Sequence, residues 1–530
     1  MKLNIIIQAR CSSSRLPYKS LMPIKGIPLI VLIAKRLKRK NFNIIVATSD
    51  HKSDNDLCKL LDLHKVKYFR GNLKNVYKRI YDCLSSLKNN NLTLRLTGDN
   101  PFVDFRIIKK IVNELILKKK NYNYIDHRQS NVPYGVSVEV FDQKFFKSLK
   151  PKNNFEKEHV TISARHQIDN KYKSGLFFFD KKYSDLKCSI DNLDDYLLVN
   201  YIFEKTHDPI KISWYELCKK LQKYKKQKNI SLRCKQKIIL GTAQLGSKYG
   251  VNNFYKINKK NFESFKERKK LVNCALMLGI KKIDTARNYE NSEKIIGLEN
   301  NVNNEKIEIH TKIPHIKSDK KNLLVNIKNS INKSIKYLKE NKIKYLYFHS
   351  HQNLINLKRK DLKLIKNISS CKYLGASIYD PNNLTNLITN KYLKIFQMPF
   401  NILDSRFKSF FKVLKKNNKK IIVRSIFMQG LIFSSKWPPK IKKYKKSILN
   451  KLLFFINKFK RINSIDLCIA YINYHKQIDG LIIGIDNKSQ LFQIFSFLEN
   501  KPLNHNQVKE IDKYFKKIPQ IVYDARGWNL

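Results

Sequence analysis

The sequence predicts an α/β chain of two domains, a mainly parallel Rossmann-like sheet followed by a (β/α)8 TIM barrel. Three observations predict it. The chain has 530 residues, more than one ordinary hydrophobic core organises, so length alone suggests two to four domains. Apolar runs alternate with helix-length segments, as βαβ units require. The second part carries eight such runs, the number that closes a barrel.

In the first part the runs "LNIII", "NIIVAT" and "LTLRLTGD" alternate with "IPLIVLIAKRLKRK" and "DLCKLLDLHK". Ligands of doubly wound sheets sit beyond the carboxyl ends of the strands, so the residues just after these runs matter most. The segment from Cys218 to Gln236 is polar and basic, without strand or helix-face patterning, and reads as a connection. The expected division is 1–220, a linker at 221–236, and 237–530. The eight runs that follow are "KIILGT", "KKIDTA", "IEIHTK", "IKYLYFH", "KYLGAS", "KIFQMP", "KIIVRS" and "GLIIGI". They end at Thr242, Asp284, Lys312, His349, Ser377, Gln397, Arg424 with Ser425, and Gly484. In a barrel these ends converge on one face, where active sites are built. The stretch "WPPKIKKYKKSILNKLL" before the last run reads as an insertion or extra helices over that site.

Composition bounds the partners. Hydrophobic residues make up 42% and aromatics 11%, enough to pack cores. The net charge of +64 raises a nucleic-acid reading. Lysine, however, is scattered along the whole chain beside abundant Asn and Ile, the trio that an AT-rich coding sequence supplies. The expectation is therefore no specific nucleic-acid partner, with steering of anionic small molecules as a by-product of the charge. The alternative is a polyanion-binding scaffold. The nine cysteines, Cys11, Cys58, Cys83, Cys188, Cys218, Cys234, Cys274, Cys371 and Cys468, form no CxxC pair and read as reduced thiols. No apolar stretch reaches membrane-span length, which leads to the expectation of a cytoplasmic protein without a membrane span. An oligomer is possible.

Two constellations carry chemistry. After the first run, "QARCSSSRLPYKSL" puts Arg10, Arg15 and Lys19 among small hydroxyl residues. Three cations and many donors in a loop after a strand suit a triphosphate, although a solvated basic loop would look the same. "RLTGDNPFVD" then places Asp99 just beyond a strand, where a carboxylate holds Mg²⁺ against phosphate oxygens. A turn-capping Asp before Asn-Pro is the bland reading.

Together these residues resemble the nucleotidyltransferase fold of CMP-sugar synthetases, in particular the cytidylyltransferases grouped with spore-coat polysaccharide biosynthesis. The likeness continues through "KGIPLI", "IIVATS", "YFRGN", "YGVSVEVF", "EKEHVT" and "CSIDNLDDYLLV". It implies attack of a sugar hydroxyl on the α-phosphate of CTP, with Arg10, Arg15 and Lys19 gripping the triphosphate and Asp99 holding Mg²⁺. Asp191 is the second metal carboxylate, in competition with Asp194 and Asp195. Relatives usually carry Met-Gly after "QAR" and Gly after "LP"; this chain has Cys11, Ser12 and Tyr18, so some loop flexibility is lost.

The second part carries "IDTARNYENSEKIIG", "TKIP" and "YFHSH" on successive runs. Asp284, Tyr289, Lys312 and His349 match the catalytic tetrad of the aldo/keto reductases, which it therefore resembles. His351 is a neighbour, but His349 directly ends its run. Carbonyl reduction by a nicotinamide hydride needs a proton for the developing alkoxide. On this resemblance Tyr289 supplies it, Lys312 lowers the cost of the tyrosinate, Asp284 holds the lysine, and His349 orients the carbonyl oxygen.

The same resemblance makes Ser377, Gln397, Arg424, Ser425, Gly484, Asn487 and Gln490 cofactor-binding residues. Ser377 and Gln397 would hold the nicotinamide amide. Relatives commonly have Ser-Asn where this chain has Ser377-Ile378, so one contact is missing. Arg424 stands where many stack a tyrosine on the nicotinamide, and a guanidinium can stack instead. Asp486 stands where many have an arginine for the 2′-phosphate, so the cofactor is NADPH or NADH. The expectation is a bifunctional enzyme of surface-polysaccharide sugar biosynthesis. One domain would transfer CMP from CTP to an acidic sugar, and the other would reduce or oxidise a sugar carbonyl compound. The alternatives are an active reductase on a polyanion-binding scaffold, or a first domain that uses a different nucleotide.

Overall fold

The computed structural model describes residues 3–87, 92–117, 124–126, 131–167, 181–225, 237–246, 265–300, 307–317, 320–340 and 343–528. The chain divides into two compact units, Met1–Ile230 and Ser231–Leu530.

The first unit is organised by a six-stranded sheet. Its strands are β1 (Leu3–Gln8), β4 (Phe42–Ser49), β5 (Lys67–Gly71), β6 (Thr93–Thr97), β7 (Tyr124–Asp126) and β8 (Glu139–Phe141), in the order β5-β4-β1-β6-β8-β7. A small antiparallel hairpin, β2 (Pro23–Ile24) with β3 (Ile27–Pro28), lies outside it. The first four strands pair in parallel. β1 carries three consecutive isoleucines because it is covered on both faces, with Ile5, Ile6 and Ile7 fully buried. β8 then pairs antiparallel with β6 and with β7, an edge that the short segment "EVF" did not announce.

β1 lies between β4 and β6, so the chain winds in opposite directions on its two sides. Gln8 and Thr97 are register partners, and Gly98 N donates to Gln8 O at 2.8 Å. This hydrogen bond ties the ends of the two strands together at the point where the winding reverses, which is where doubly wound sheets open their ligand crevice.

The helix Leu29–Leu37 is buried along almost its whole length, including Arg36, which is 1% exposed. Its guanidinium donates to the carbonyls of Phe102 (3.0 Å), Val103 (3.3 Å), Pro209 (2.8 Å) and Ile212 (2.9 Å). Asp104 is the countercharge at 4.0 Å. Burial pulls Arg36 down to about 10, while Asp104 acts the other way. One cation thus fastens three distant segments.

The second unit is a closed barrel of eight parallel strands: β9 (Ile238–Gly241), β10 (Lys282–Asp284), β11 (Glu308–Ile313), β12 (Tyr345–Phe348), β13 (Tyr373–Ser377), β14 (Leu393–Pro399), β15 (Lys420–Arg424) and β16 (Gly480–Gly484). β16 pairs with β9 to complete the ring. Ile239, Tyr345, Tyr347, Ile395, Ile422 and Ile482 fill its interior, so the barrel is a packed core, not a pore. The insertion between β15 and β16 forms the helix Lys445–Lys458. Its Phe455 stacks against Phe459 and meets Phe515 of the helix His505–Phe515, so it belongs to the outer helical layer.

One expectation is corrected. The segment starting at Cys218 was expected to lack a helix face, yet Trp214–Tyr224 is a helix begun by a Ser213/Glu216 capping box. Trp214, Leu217, Cys218 and Leu221 form its buried stripe, which the surrounding lysines masked. Residues 221–224 of the expected linker are therefore helical, and 226–236 lie outside the described residues. Eight cysteines are free thiols, with Cys188 and Cys218 Sγ 3.8 Å apart; Cys234 lies outside the described residues. Among the described residues no helix is long and apolar enough to cross a membrane.

Arg36→Met should destabilise the first unit by about 1–3 kcal/mol, because four carbonyls lose their guanidinium donor, while Asp104 keeps Arg106 and Trp214 N. Denaturant unfolding of the full chain checks this; an unchanged first-unit transition would show that the hub contributes nothing.

Candidate active sites

In the first unit the loop after β1 is anchored from below. The buried Asp54 accepts from Cys11 N (2.7 Å), Thr48 Oγ1 (3.0 Å) and Ser49 N (3.0 Å). Tyr18, at the position where relatives usually have glycine, adopts φ 59°, a left-handed conformation that costs a non-glycine residue about 1–2 kcal/mol. The loop therefore keeps the glycine geometry without the glycine.

The loop cations meet the carboxylates that follow other strands. Lys19 Nζ lies 2.6 Å from Asp99 Oδ2 and 2.9 Å from Ile190 O. Arg15 Nη2 reaches Asp191 Oδ1 at 3.0 Å. Ile190 N donates to Asp99 O at 2.9 Å, so the segments bearing Asp99 and Asp191 are joined directly. Burial raises the Asp191 carboxyl, but Lys187 and Arg15 outweigh it and hold the group below its ordinary value. Arg10 lies apart from this pairing, bonded to Glu158 at 3.2 Å.

Of the competing carboxylates, Asp195 closes the Asn192 capping box of the helix Leu193–Glu204, and Asp194 is exposed in that helix's first turn. Asp191 is the carboxylate that faces Arg15, one residue beyond the Ile190 contact with Asp99. Two carboxylates paired with Lys19, Arg15 and Lys187 form a donor set that fits Mg²⁺, which binds one or two carboxylates together with substrate phosphates. Tyr134, 61% exposed, was not picked out in the sequence. Partial burial and the charges of Asp191 and Asp99 raise its pKa, and its backbone pairs with Leu186 and Cys188 just before Asp191.

In the barrel the four tetrad residues come together. Lys312 Nζ donates to Asp284 Oδ2 at 2.7 Å and to Thr285 O at 2.8 Å, and stands 3.5 Å from Tyr289 OH. The His349 and Tyr289 rings meet edge-on, with centroids 6.0 Å apart. Burial lowers His349 to about 3, with Lys312 and Arg424 adding to the effect. The histidine is therefore neutral and able to hydrogen-bond a carbonyl oxygen.

Burial, followed by the Asp284 charge, pushes Tyr289 well above its ordinary value. The Lys312 ammonium is paired with Asp284, so in this geometry the phenol holds its proton.

A hydroxyl network missed in the sequence supports the tetrad. Ser292 Oγ donates to Thr242 Oγ1 (2.6 Å), and Thr242 Oγ1 donates to Asp284 O (2.9 Å). The buried Glu293 accepts from Arg287 (2.8 Å) and Thr311 (2.7 Å). The only signal was the Ser-Glu pair in "NYENSEK". Gly246 has a positional reason as well, since a Cβ there would lie 1.7 Å from Tyr289 O.

The expected cofactor residues divide into two groups. Ser377 and Gln397 are register partners, but Gln397 Nε2 donates to Asp284 Oδ1 at 2.8 Å, so part of its amide is committed to the tetrad. Ser377 Oγ is buried without a partner, the kind of orphan that a carboxamide would satisfy. The Arg424 guanidinium lies 4.0 Å over the Tyr379 ring, and Ser425, at φ 58°, turns the chain after it. At the end of β16, Gly484 lets the Gln244 side chain approach. Asn487 caps the helix Lys488–Phe495, and Gln490 bonds Asp486 N (2.7 Å) and Oδ2 (3.1 Å).

Acid should weaken the second unit. His349 stays neutral when folded down to about 3, whereas an unfolded histidine takes up a proton near 6.5. Its contribution is complete above about pH 6.5 and is lost towards about pH 3, at about 1.4 kcal/mol per pH unit. Unfolding measured from about pH 7 to about pH 4 should show this slope, reduced in His349→Gln; identical slopes would remove the histidine from the effect.

Comparison with known proteins assigns a family to each unit. The cytidylyltransferase family model matches residues 4–239, and the aldo/keto reductase family model matches residues 237–516. The chain is 32% identical over 247 residues to the uncharacterized protein MJ1063 of Methanocaldococcus jannaschii, covering 45% of this chain and 97% of that protein. It is 28% identical over 227 residues to the spore coat polysaccharide biosynthesis protein SpsF of Bacillus subtilis, covering 40% and 90%. It is also 34% identical over 104 residues to the 3-deoxy-manno-octulosonate cytidylyltransferase of Bartonella tribocorum, covering 19% and 42%. The chain thus joins two enzymes, belonging through its first unit to the cytidylyltransferase family and through its second to the aldo/keto reductase family.

Proposed function

We propose that this bifunctional chain serves the biosynthesis of a surface-polysaccharide sugar in the cytoplasm. The first unit transfers CMP from CTP to the hydroxyl of an acidic sugar. The second reduces a sugar carbonyl, or oxidises the corresponding alcohol, with NADH or NADPH. The observation that carries this reading is that both constellations assemble at strand ends, Lys19 with Asp99 and Asp191 in one unit and Asp284, Lys312, Tyr289 and His349 in the other. The names of SpsF and of the octulosonate cytidylyltransferase support a surface sugar and an acidic one.

In the first unit, Arg15 and Lys19 exchange their carboxylate partners for phosphate oxygens when the triphosphate enters. Asp99 and Asp191 would then be left to hold Mg²⁺, which would neutralise charge on the phosphates. In the second, Tyr289 delivers its proton to the carbonyl oxygen, which His349 holds, while the nicotinamide supplies the hydride. Asp284 keeps Lys312 in place beneath the phenol. Ser377 takes the carboxamide, and Asp486 favours a ribose hydroxyl over a 2′-phosphate.

Full-length protein with CTP, Mg²⁺ and 3-deoxy-manno-octulosonate or a nonulosonic acid should release pyrophosphate, and Lys19→Ala should lower the rate at least about 100-fold. Release only with another nucleotide would overturn the choice of CTP, and no release with any acid sugar would remove the first activity. Tyr289→Phe should abolish carbonyl reduction while nicotinamide affinity stays within about threefold; retained turnover would exclude Tyr289 as the proton donor.

A further inference from the structure

Among the described residues Arg424, at the end of β15, is a cation without a carboxylate partner. Lys312 is neutralised by Asp284, His349 is held neutral and Tyr289 retains its proton. Arg424 depresses His349 and opposes the rise of Tyr289, so its cation acts directly on both. Its Nε and Nη2 are buried with no hydrogen-bond partner. These two nitrogens form one edge of the guanidinium, the fork that takes both oxygens of a carboxylate.

The neighbouring arginines make the contrast plain. Arg287 pairs with Glu293, Arg406 with Asp404, Arg461 with Asp466 and Arg526 with Asp524. Arg424 has no carboxylate among the described residues. It lies against a ring instead, with its guanidinium carbon 4.0 Å from the Tyr379 ring centre. That contact leaves its charge and its edge for a ligand.

We propose that Arg424 binds the carboxylate of the carbonyl substrate, so that the barrel acts on an oxo acid, a molecule carrying both an aldehyde or ketone and a carboxylate. This rests on the reading of the second unit as a nicotinamide-dependent reductase. The carboxylate is a spectator held by two charge-assisted hydrogen bonds. Hydride forms the new C–H bond, the C=O π pair moves onto oxygen, and that oxygen takes the Tyr289 proton as NAD(P)H becomes NAD(P)⁺. A nicotinamide carboxamide offers a single acceptor oxygen and would leave half of the fork empty, whereas a carboxylate fills it. An acidic sugar with a free carbonyl would then suit both units of the chain.

The test compares substrates that differ in this one group, using the full-length protein with saturating cofactor. Glyoxylate is set against glycolaldehyde, and succinic semialdehyde against 4-hydroxybutanal. The expected result is a preference for the acids on the order of 10–100-fold in kcat/KM, carried mainly by KM. Arg424→Gln should collapse that ratio towards one, and Arg424→Lys, which keeps the charge and loses the fork, should fall between.

No preference in the unaltered protein would overturn the proposal. So would equal losses for acids and neutral aldehydes accompanied by weaker cofactor binding, which would assign Arg424 to the nicotinamide. If no carbonyl is reduced at all, the reductase reading fails, and calorimetric titration with the unreactive oxo-acid mimic oxamate decides this inference separately. Oxamate binding that is lost in Arg424→Gln upholds the anion site, and absent binding overturns it.

Discussion

Parallel strand pairing is the constraint on which both sites depend. A parallel pair needs a crossover between its strands, so every strand begins on one side and ends on the other. In the first unit this brings the segments after β1 and β6 together, where Lys19 meets Asp99. In the second it brings together Asp284, Lys312, Gln397 and Arg424 from four different strands. Residues far apart in sequence become neighbours because each follows or ends a strand of the same sheet.

The two sites use charge in different ways. The phosphate site is an open exchange of partners: Arg15 remains largely exposed while paired to Asp191, and such contacts are easily traded for phosphate oxygens. The barrel site is sealed. Asp284 and Lys312 are almost fully buried, and an ion pair in that setting persists only because Gln397 and Thr285 satisfy its remaining hydrogen bonds. That closure makes Tyr289 a strong holder of its proton and His349 a neutral donor or acceptor.

Much of this was legible in the sequence. The eight barrel strands and the placing of Asp284, Lys312 and His349 at their ends follow from apolar runs that end in chemically specific residues, whereas the direct contact of Lys19 with Asp99 was not among the expectations. What was not legible depends on partners. Gln397 was expected to face the nicotinamide, and only the register of β13 and β14 and the position of Asp284 show that its amide also serves the tetrad. The helix Trp214–Tyr224 was hidden because its apolar stripe is diluted by lysine. The antiparallel β8 is three residues long, too short for its alternation to be read.

Local periodicity and residue chemistry were enough to set the order of the barrel strands and the residues at their ends, because neither needs a distant partner. The electrical state of those groups came only with the folded chain. Whether Asp191 or one of its neighbours Asp194 and Asp195 faces Arg15, whether Tyr289 gives up its proton readily, and whether Arg424 is paired or free all depend on burial and on charges contributed by other strands. Those fields exist only once the chain has closed around them.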